Sequence, residues 1–181
     1  MGKNIVVITG SPRKKGNSFA MTQAFIEAAQ ARGHSVTRFD AAFLAVDGCR
    51  ACETCYKTGK ACTFDDDFNT IAPAVVDADA VVFSMPVYWY TMPGKIKNVI
   101  DKLYSLVIGG KGMNEKECGL LACCEDSDMT AFDGVRIPYE KSIALLNWKS
   151  IGHVLIPSVL NAGDIERTEG CRMAAELADL F

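Results

Sequence analysis

The stretch "NIVVITGSPRKKGNS", Asn4 to Ser18, decides the fold. Its first half, "NIVVITG" (4–10), is a β-branched run without polar alternation, which is what a strand covered on both faces requires. Its second half is a loop of glycine, hydroxyl and cationic residues. The loop leads into Met21, Ala24, Phe25 and Ala28, an i, i+3, i+4, i+7 apolar stripe that reads as a helix. A buried strand, a tight loop and an amphipathic helix in that order open a parallel α/β fold.

The pattern recurs. "SVTRFD" (35–40), "AVVFSMP" (80–86), "CGLLACC" (118–124) and "HVLIPSVL" (153–160) read as four further strands. Ile96, Val99, Ile100 and Leu103 form a second helical stripe, and Cys171, Ala174, Ala175 and Ala178 a third. Gly33 and Gly152 stand where helices should end. Asp65, Asp66 and Asp67 read as the cap and acidic first turn of a helix through about Val76, in preference to a metal-binding carboxylate cluster. Five strands alternating with helices imply a doubly wound parallel sheet with helices on both faces. The flavodoxin-like order 2-1-3-4-5 suits a chain of this size. Without repeats or linkers, residues 1–181 are expected to form a single domain, with a cysteine-rich insertion loop at about 41–64. Ligands of such sheets bind beyond the carboxyl ends of the strands, where the strand order reverses, so the loops to read are 9–18, 84–93 and 123–131.

Composition narrows the function classes. The 181 residues are 49% hydrophobic and carry a formal net charge of −3, enough apolar content for a sizeable core. Lys and Arg are dispersed, so neither nucleic acid nor an acidic membrane is an expected partner. No apolar run approaches the roughly eighteen residues of a membrane span, and the opening apolar run is read as a strand and not as a signal peptide. Val6 breaks the pattern a myristoylated Gly2 would need. The expected compartment is a reducing cytoplasm, where the eight cysteines would be thiols or metal ligands and not a disulfide framework.

The first loop, "TGSPRKKGNS", matches neither G-x-G-x-x-G nor the P-loop pattern, since five residues separate Gly10 from Gly16 and Asn17 follows where Lys would be required. It is nevertheless rich in donors and runs into a helix N-terminus, which favours a phosphate. Ser11, Arg13, Lys15, Asn17 and Ser18 are the candidate contacts; the competing reading is a solvated basic turn that caps the helix. The second loop, "MPVYWYTMPGK" (85–95), is stiffened by Pro86 and Pro93 and carries Tyr88, Trp89 and Tyr90. Pro86, Val87, Tyr88 and Trp89 would meet the polar edge and the face of a flat conjugated ring, unless the rings serve core or interface packing. In the third loop Cys123, Cys124, Glu125 and Asp126 follow a buried strand. The two cysteines there read first as small apolar packers, and Cys124 and Glu125 would border the ring. Phosphate at one end and an aromatic slot at the other describe FMN better than a free nucleotide.

"GSPRKKGNS", the spacing C-x2-C-x2-C-x6-C followed by "DDDF", and "PVYW" ahead of "KIKNVIDKL" resemble the NAD(P)H-dependent FMN reductase group of the flavodoxin-like superfamily. More narrowly, they resemble its iron-sulfur flavoprotein branch. The resemblance runs from the first strand to about Leu103, then more loosely through "YE", "W" and "GDI". It implies FMN held by Ser11, Arg13, Asn17 and Ser18 at the phosphate and by Pro86 to Trp89 at the ring. It also implies a homodimer or dimer of dimers with the flavin near the subunit interface. Flavodoxin itself is less similar, because its phosphate loop is Thr-rich and lacks the cations found here.

Cys49, Cys52, Cys55 and Cys62 leave the second strand, at the same sheet edge as the expected flavin. Three thiols at x2 spacing can wrap one face of a [4Fe–4S] cluster, with a fourth closing it. The final gap of six residues and the absence of a following Pro depart from the ferredoxin run. The iron-sulfur flavoprotein branch implies such a longer gap. Zinc, a redox-active C-x-x-C pair and a metal-free loop remain open. His34 and His153 stand alone, outside any ligand spacing. The expected activity is electron transfer from NAD(P)H through FMN to a flavin, a quinone or a redox protein, with no catalytic side chain because the flavin carries the chemistry. The alternative is a ferredoxin-linked relay without NAD(P)H turnover, and a simple electron carrier is a further one.

Overall fold

The computed structural model describes residues 2–112 and 114–181. The strand opening at Asn4 is β1 (Asn4–Thr9), hydrogen-bonded between β2 (Ser35–Asp40) and β3 (Ala80–Pro86). Beyond β3 come β4 (Glu117–Cys123) and β5 (Lys149–Ile156). All pairings are parallel and the order is β2-β1-β3-β4-β5, the flavodoxin-like arrangement.

Alternate residues of each strand point to opposite faces, which is why the inner strands had to be apolar throughout. Val6, Ile8, Val81, Phe83 and Leu120 face one helical layer, α2 (Phe68–Asp77), α3 (Gly94–Lys102), the short α4 (Tyr104–Gly109) and α5 (Asp133–Leu145). Ile5, Val7, Val82, Leu121 and Cys123 face the other, α1 (Asn17–Ala31) and α6 (Gly170–Leu177). Each large aliphatic side chain buried here contributes about 1.5–3 kcal/mol, against about 0–1 kcal/mol for an exposed ion pair. The two apolar layers therefore hold the sheet, and the surface charges do not.

The structure differs from the sequence reading at β5 and at α5. β5 runs from Lys149 to Ile156, so Gly152 lies inside a strand and ends no helix. A Cβ there would stand 2.9 Å from Leu177 Cδ1, so glycine lets α6 lie close on the sheet. Pro157 follows the last strand residue, and 157–160 become loop. The helix α5 gave no clear stripe, because its buried residues Val135, Tyr139 and Ile143 recur every four positions and Pro138 interrupts them. Gly33 does end α1, with φ +86°.

Gly10 ties the first loop to the core. Its amide donates to the Ser84 carbonyl at 2.8 Å, and an added Cβ would stand 2.7 Å from Ile96 Cγ2. Because Ile96 is fully buried, it has little room to yield. Gly10→Ala is expected to cost about 1 kcal/mol of stability, the lower end for overpacking, read as a lower urea midpoint.

Candidate functional site

At the carboxyl ends of β1, β3 and β4 a crevice is lined by Ser11, Arg13, Gly16, Asn17 and Ser18 on one side and by Pro86, Val87, Tyr88 and Trp89 on another. Cys123, Cys124 and Glu125 border it from β4. One end is built for an anion. Helix α1 starts after Gly16 with no side chain capping it, so its first-turn amides and positive dipole end face the loop. Ser11 Oγ accepts from the Arg13 amide at 3.2 Å, and the Gly16 amide donates to the Arg13 carbonyl at 3.1 Å. These bonds curl the loop around its own backbone and leave the Arg13 guanidinium free of that task.

The other end is a strained aromatic turn. Tyr88 and Thr91 exchange both backbone hydrogen bonds, at 2.9 and 3.0 Å, across Trp89 and Tyr90. Those two residues have φ of +49° and +61°, the tight hairpin geometry that usually takes Asn-Gly. Each large residue held there costs on the order of 1–3 kcal/mol. The turn is fixed by Tyr90 Oη donating to Asp126 at 3.3 Å and Thr91 Oγ1 donating to the Gly134 carbonyl at 3.0 Å. An added Cβ on Gly134 would stand 1.9 Å from the Tyr90 carbonyl oxygen. Trp89 is 94% exposed as a result, a large ring held out at the mouth of the crevice.

Two candidate phosphate contacts have other surroundings. Lys15 lines a neighbouring depression with Lys14, Phe19 and Glu166. Asn17 lines the crevice, but its amide is engaged: Nδ2 donates to the Asn161 carbonyl at 2.9 Å, and Oδ1 accepts from Gly163 and Ile165 at 3.1 and 3.3 Å. Asn17 thereby fastens the segment after β5, whose Val159, Leu160 and Ala162 form a crevice wall. The sequence reading missed this wall because it carried the strand through 160; Pro157 and the Asn161–Gly163 turn residues were the available signal.

The cysteine loop starts at the sheet edge but does not stay there. Lys95 Nζ donates to Leu44 O, Asn98 Nδ2 to Val46 O, and Lys102 pairs with Asp66. Tyr56 lies against Gly109 with Lys111 over its ring at 5.4 Å. The loop therefore descends along α3 to α4, drawn down by Val46 and Ala61, which are buried in that layer. Asp66 caps the start of α2 through the Phe68 amide at 2.8 Å. Burial alone would raise the Asp66 carboxyl, but Lys102 and the Phe68 and Asp47 amides hold it below its ordinary range.

Cys49, Cys52, Cys55 and Cys62 all line one cavity of about 180 Å³ under this loop. Cys49 and Cys52 are exposed, while Cys55 and Cys62 are half-buried. The Cys52 thiol is drawn down by its hydrogen bond with Thr54, at 3.0 Å, whereas burial pushes Cys55 up. Among the described residues no three His, Cys, Asp or Glu side chains converge on a point that could hold a single metal ion. A four-iron cluster takes one thiolate per iron, and four thiols around one cavity match that donor set. The buried Ser105 hydroxyl on the same cavity has no partner among the described residues, which also fits a ligand. The crevice fits FMN, with an uncapped helix for the phosphate and exposed rings for the isoalloxazine. No helix among the described residues is long and apolar enough to cross a membrane.

Comparison with known proteins agrees with this geometry. An iron-sulfur flavoprotein of Archaeoglobus fulgidus is 32% identical over 98 residues, 54% of this chain and 44% of that protein. That of Methanosarcina thermophila is 33% identical over 101 residues, 54% of this chain and 51% of that one. The chain spans about half the length of the curated relatives it matches. An NAD(P)H:quinone oxidoreductase from Methanothermobacter marburgensis superposes with a TM-score of 0.80 at 15% identity, over 98% of this chain and 95% of that one, a likeness of fold. The family model for NADPH-dependent FMN reductase matches residues 3–131, a span holding the 11–18 loop, the cysteine loop and the aromatic turn, and the chain belongs to that family.

Proposed function

We propose that the chain is an FMN-dependent oxidoreductase that passes electrons from NAD(P)H to an acceptor. The observation that carries this reading is the crevice at the strand-order reversal, with an uncapped helix at one end and the 88–91 turn at the other. Bound FMN supplies acceptance of hydride from a nicotinamide and release of the electrons to a second partner. The chain's own residues bind and orient. Arg13, Ser11, Ser18 and the first amides of α1 hold the phosphate, the backbone from Pro86 to Trp89 meets the polar edge of the ring, and Cys124 and Glu125 border it. Hydride transfer requires no side-chain acid or base, and none of the crevice residues is cast in that role. Trp89 and Tyr90, projecting at the mouth, control access, and a second copy of the chain would cover them in a homodimer.

Purified protein loaded with FMN is expected to oxidise NADPH or NADH in the presence of an artificial acceptor, and to lose that turnover when FMN is removed. A second reading has a specific observation of its own, the four thiols on one cavity. In it the cysteine loop holds a [4Fe–4S] cluster and the chain relays electrons between a two-electron and a one-electron partner, with a ferredoxin as donor. FMN that is reduced by ferredoxin but not by NADPH or NADH would select the relay.

A further inference from the structure

The lining of the cysteine cavity, which includes the apolar Ala61 and Phe68, also contains polar side chains that are buried. Lys102, the last residue of α3, is 5% exposed and paired with Asp66, whose side chain is 3% exposed. A pair so buried returns little net stability over apolar residues of the same volume. Lys102 also reaches Cys62, with Nζ 3.9 Å from Sγ. One helix further, Ser105 is 3% exposed and its hydroxyl is without a partner among the described residues, a loss of about 1–3 kcal/mol for a buried donor. Both residues line the cavity that the four cysteines line. The unpartnered Ser105 donor and the second contact of Lys102, to Cys62, are accounted for together if the occupant accepts hydrogen bonds, as a thiolate-ligated iron–sulfur cluster does.

We propose that Ser105 and Lys102 are positioning residues for a cluster held by Cys49, Cys52, Cys55 and Cys62, with Ser105 donating to a cluster or cysteine sulfur and Lys102 donating to the Cys62 sulfur. This rests on the cluster reading above. Reduction of the cluster adds one electron, and no bond or proton need change. The site becomes more negative, so a nearby cation and hydrogen-bond donors favour the reduced form and raise the potential.

The test uses FMN-loaded protein prepared without oxygen, given ferrous iron and sulfide, assayed for iron, and titrated with dithionite as the electron source while the reduced cluster is followed by paramagnetic resonance. Ser105→Ala is expected to keep wild-type iron and FMN and to lower the midpoint by about 59 mV, a tenfold change in the one-electron equilibrium. Lys102→Met alone strands a buried carboxylate and threatens the fold. The Lys102 contact is therefore tested in the combined variant Asp66→Asn with Lys102→Met, which leaves the net charge unchanged; because Lys102 is the member of the pair that reaches Cys62, losing its donor is expected to shift the midpoint in the same direction by a smaller amount. Full iron with an unchanged midpoint in both variants overturns the assignment and leaves the cluster reading standing. A wild-type chain that takes up no iron overturns both.

Discussion

Cys55→Ser is expected to take iron uptake from about four per chain, the content of one [4Fe–4S] cluster, to near zero, with FMN occupancy unchanged. Among the four thiols that line the cavity Cys55, like Cys62, is half-buried, while Cys49 and Cys52 are exposed. Serine keeps the size but not the soft thiolate that iron–sulfur chemistry uses. No other cysteine stands ready to substitute. Cys118 is fully buried in β4, where desolvation pushes its thiol up to about 12. Cys171 belongs to α6 on the opposite face of the sheet. The flavin should be indifferent, because its crevice is lined by residues of 11–18, 86–89, 123–125 and 159–162 and not by the cysteine loop. Iron and flavin assays on the same anaerobic preparation check both halves, and iron retained at the wild-type level would refute the ligand assignment.

Some parts of this molecule could be read from the chain and others could not, for reasons that divide cleanly. β1 and the first loop were legible because an unbroken apolar run admits few folds and because sheet topology alone says where its loops converge. The crevice followed from that rule, with Ser11, Arg13, Ser18, Pro86 and Trp89 on its walls. The path of the cysteine loop did not follow, since a loop goes where its few apolar residues are buried, and the anchors of Val46 and Leu44 lie some fifty residues later on α3. Asn17 shows the same limit. A polar residue at a helix start looks like a ligand contact, yet its partners are 144 to 148 residues away. Lys102, a basic residue at a helix C-terminus, looks solvated; only the tertiary fold sets it against Asp66 and Cys62.

Arg13→Ala should weaken FMN binding about thirtyfold at low salt, within the range for one charge-assisted hydrogen bond, and leave the melting temperature unchanged. The fold should not notice, because the bonds that shape the loop run through the Arg13 backbone and not its side chain. In this Arg13 differs from Asn17, whose side chain holds the 161–165 segment in place. Arg13 is exposed, so its contribution is partly screened, and the deficit should shrink as salt rises and the Debye length falls below about 8 Å. Riboflavin separates a phosphate contact from a ring contact. It lacks the phosphate, so wild type and Arg13→Ala should bind it equally, while only the wild type gains from the change to FMN. Fluorescence titration of the apoprotein with both ligands measures the difference. Equal FMN affinity in the two proteins would move the phosphate away from Arg13, toward the Lys14 and Lys15 depression beside the start of α1.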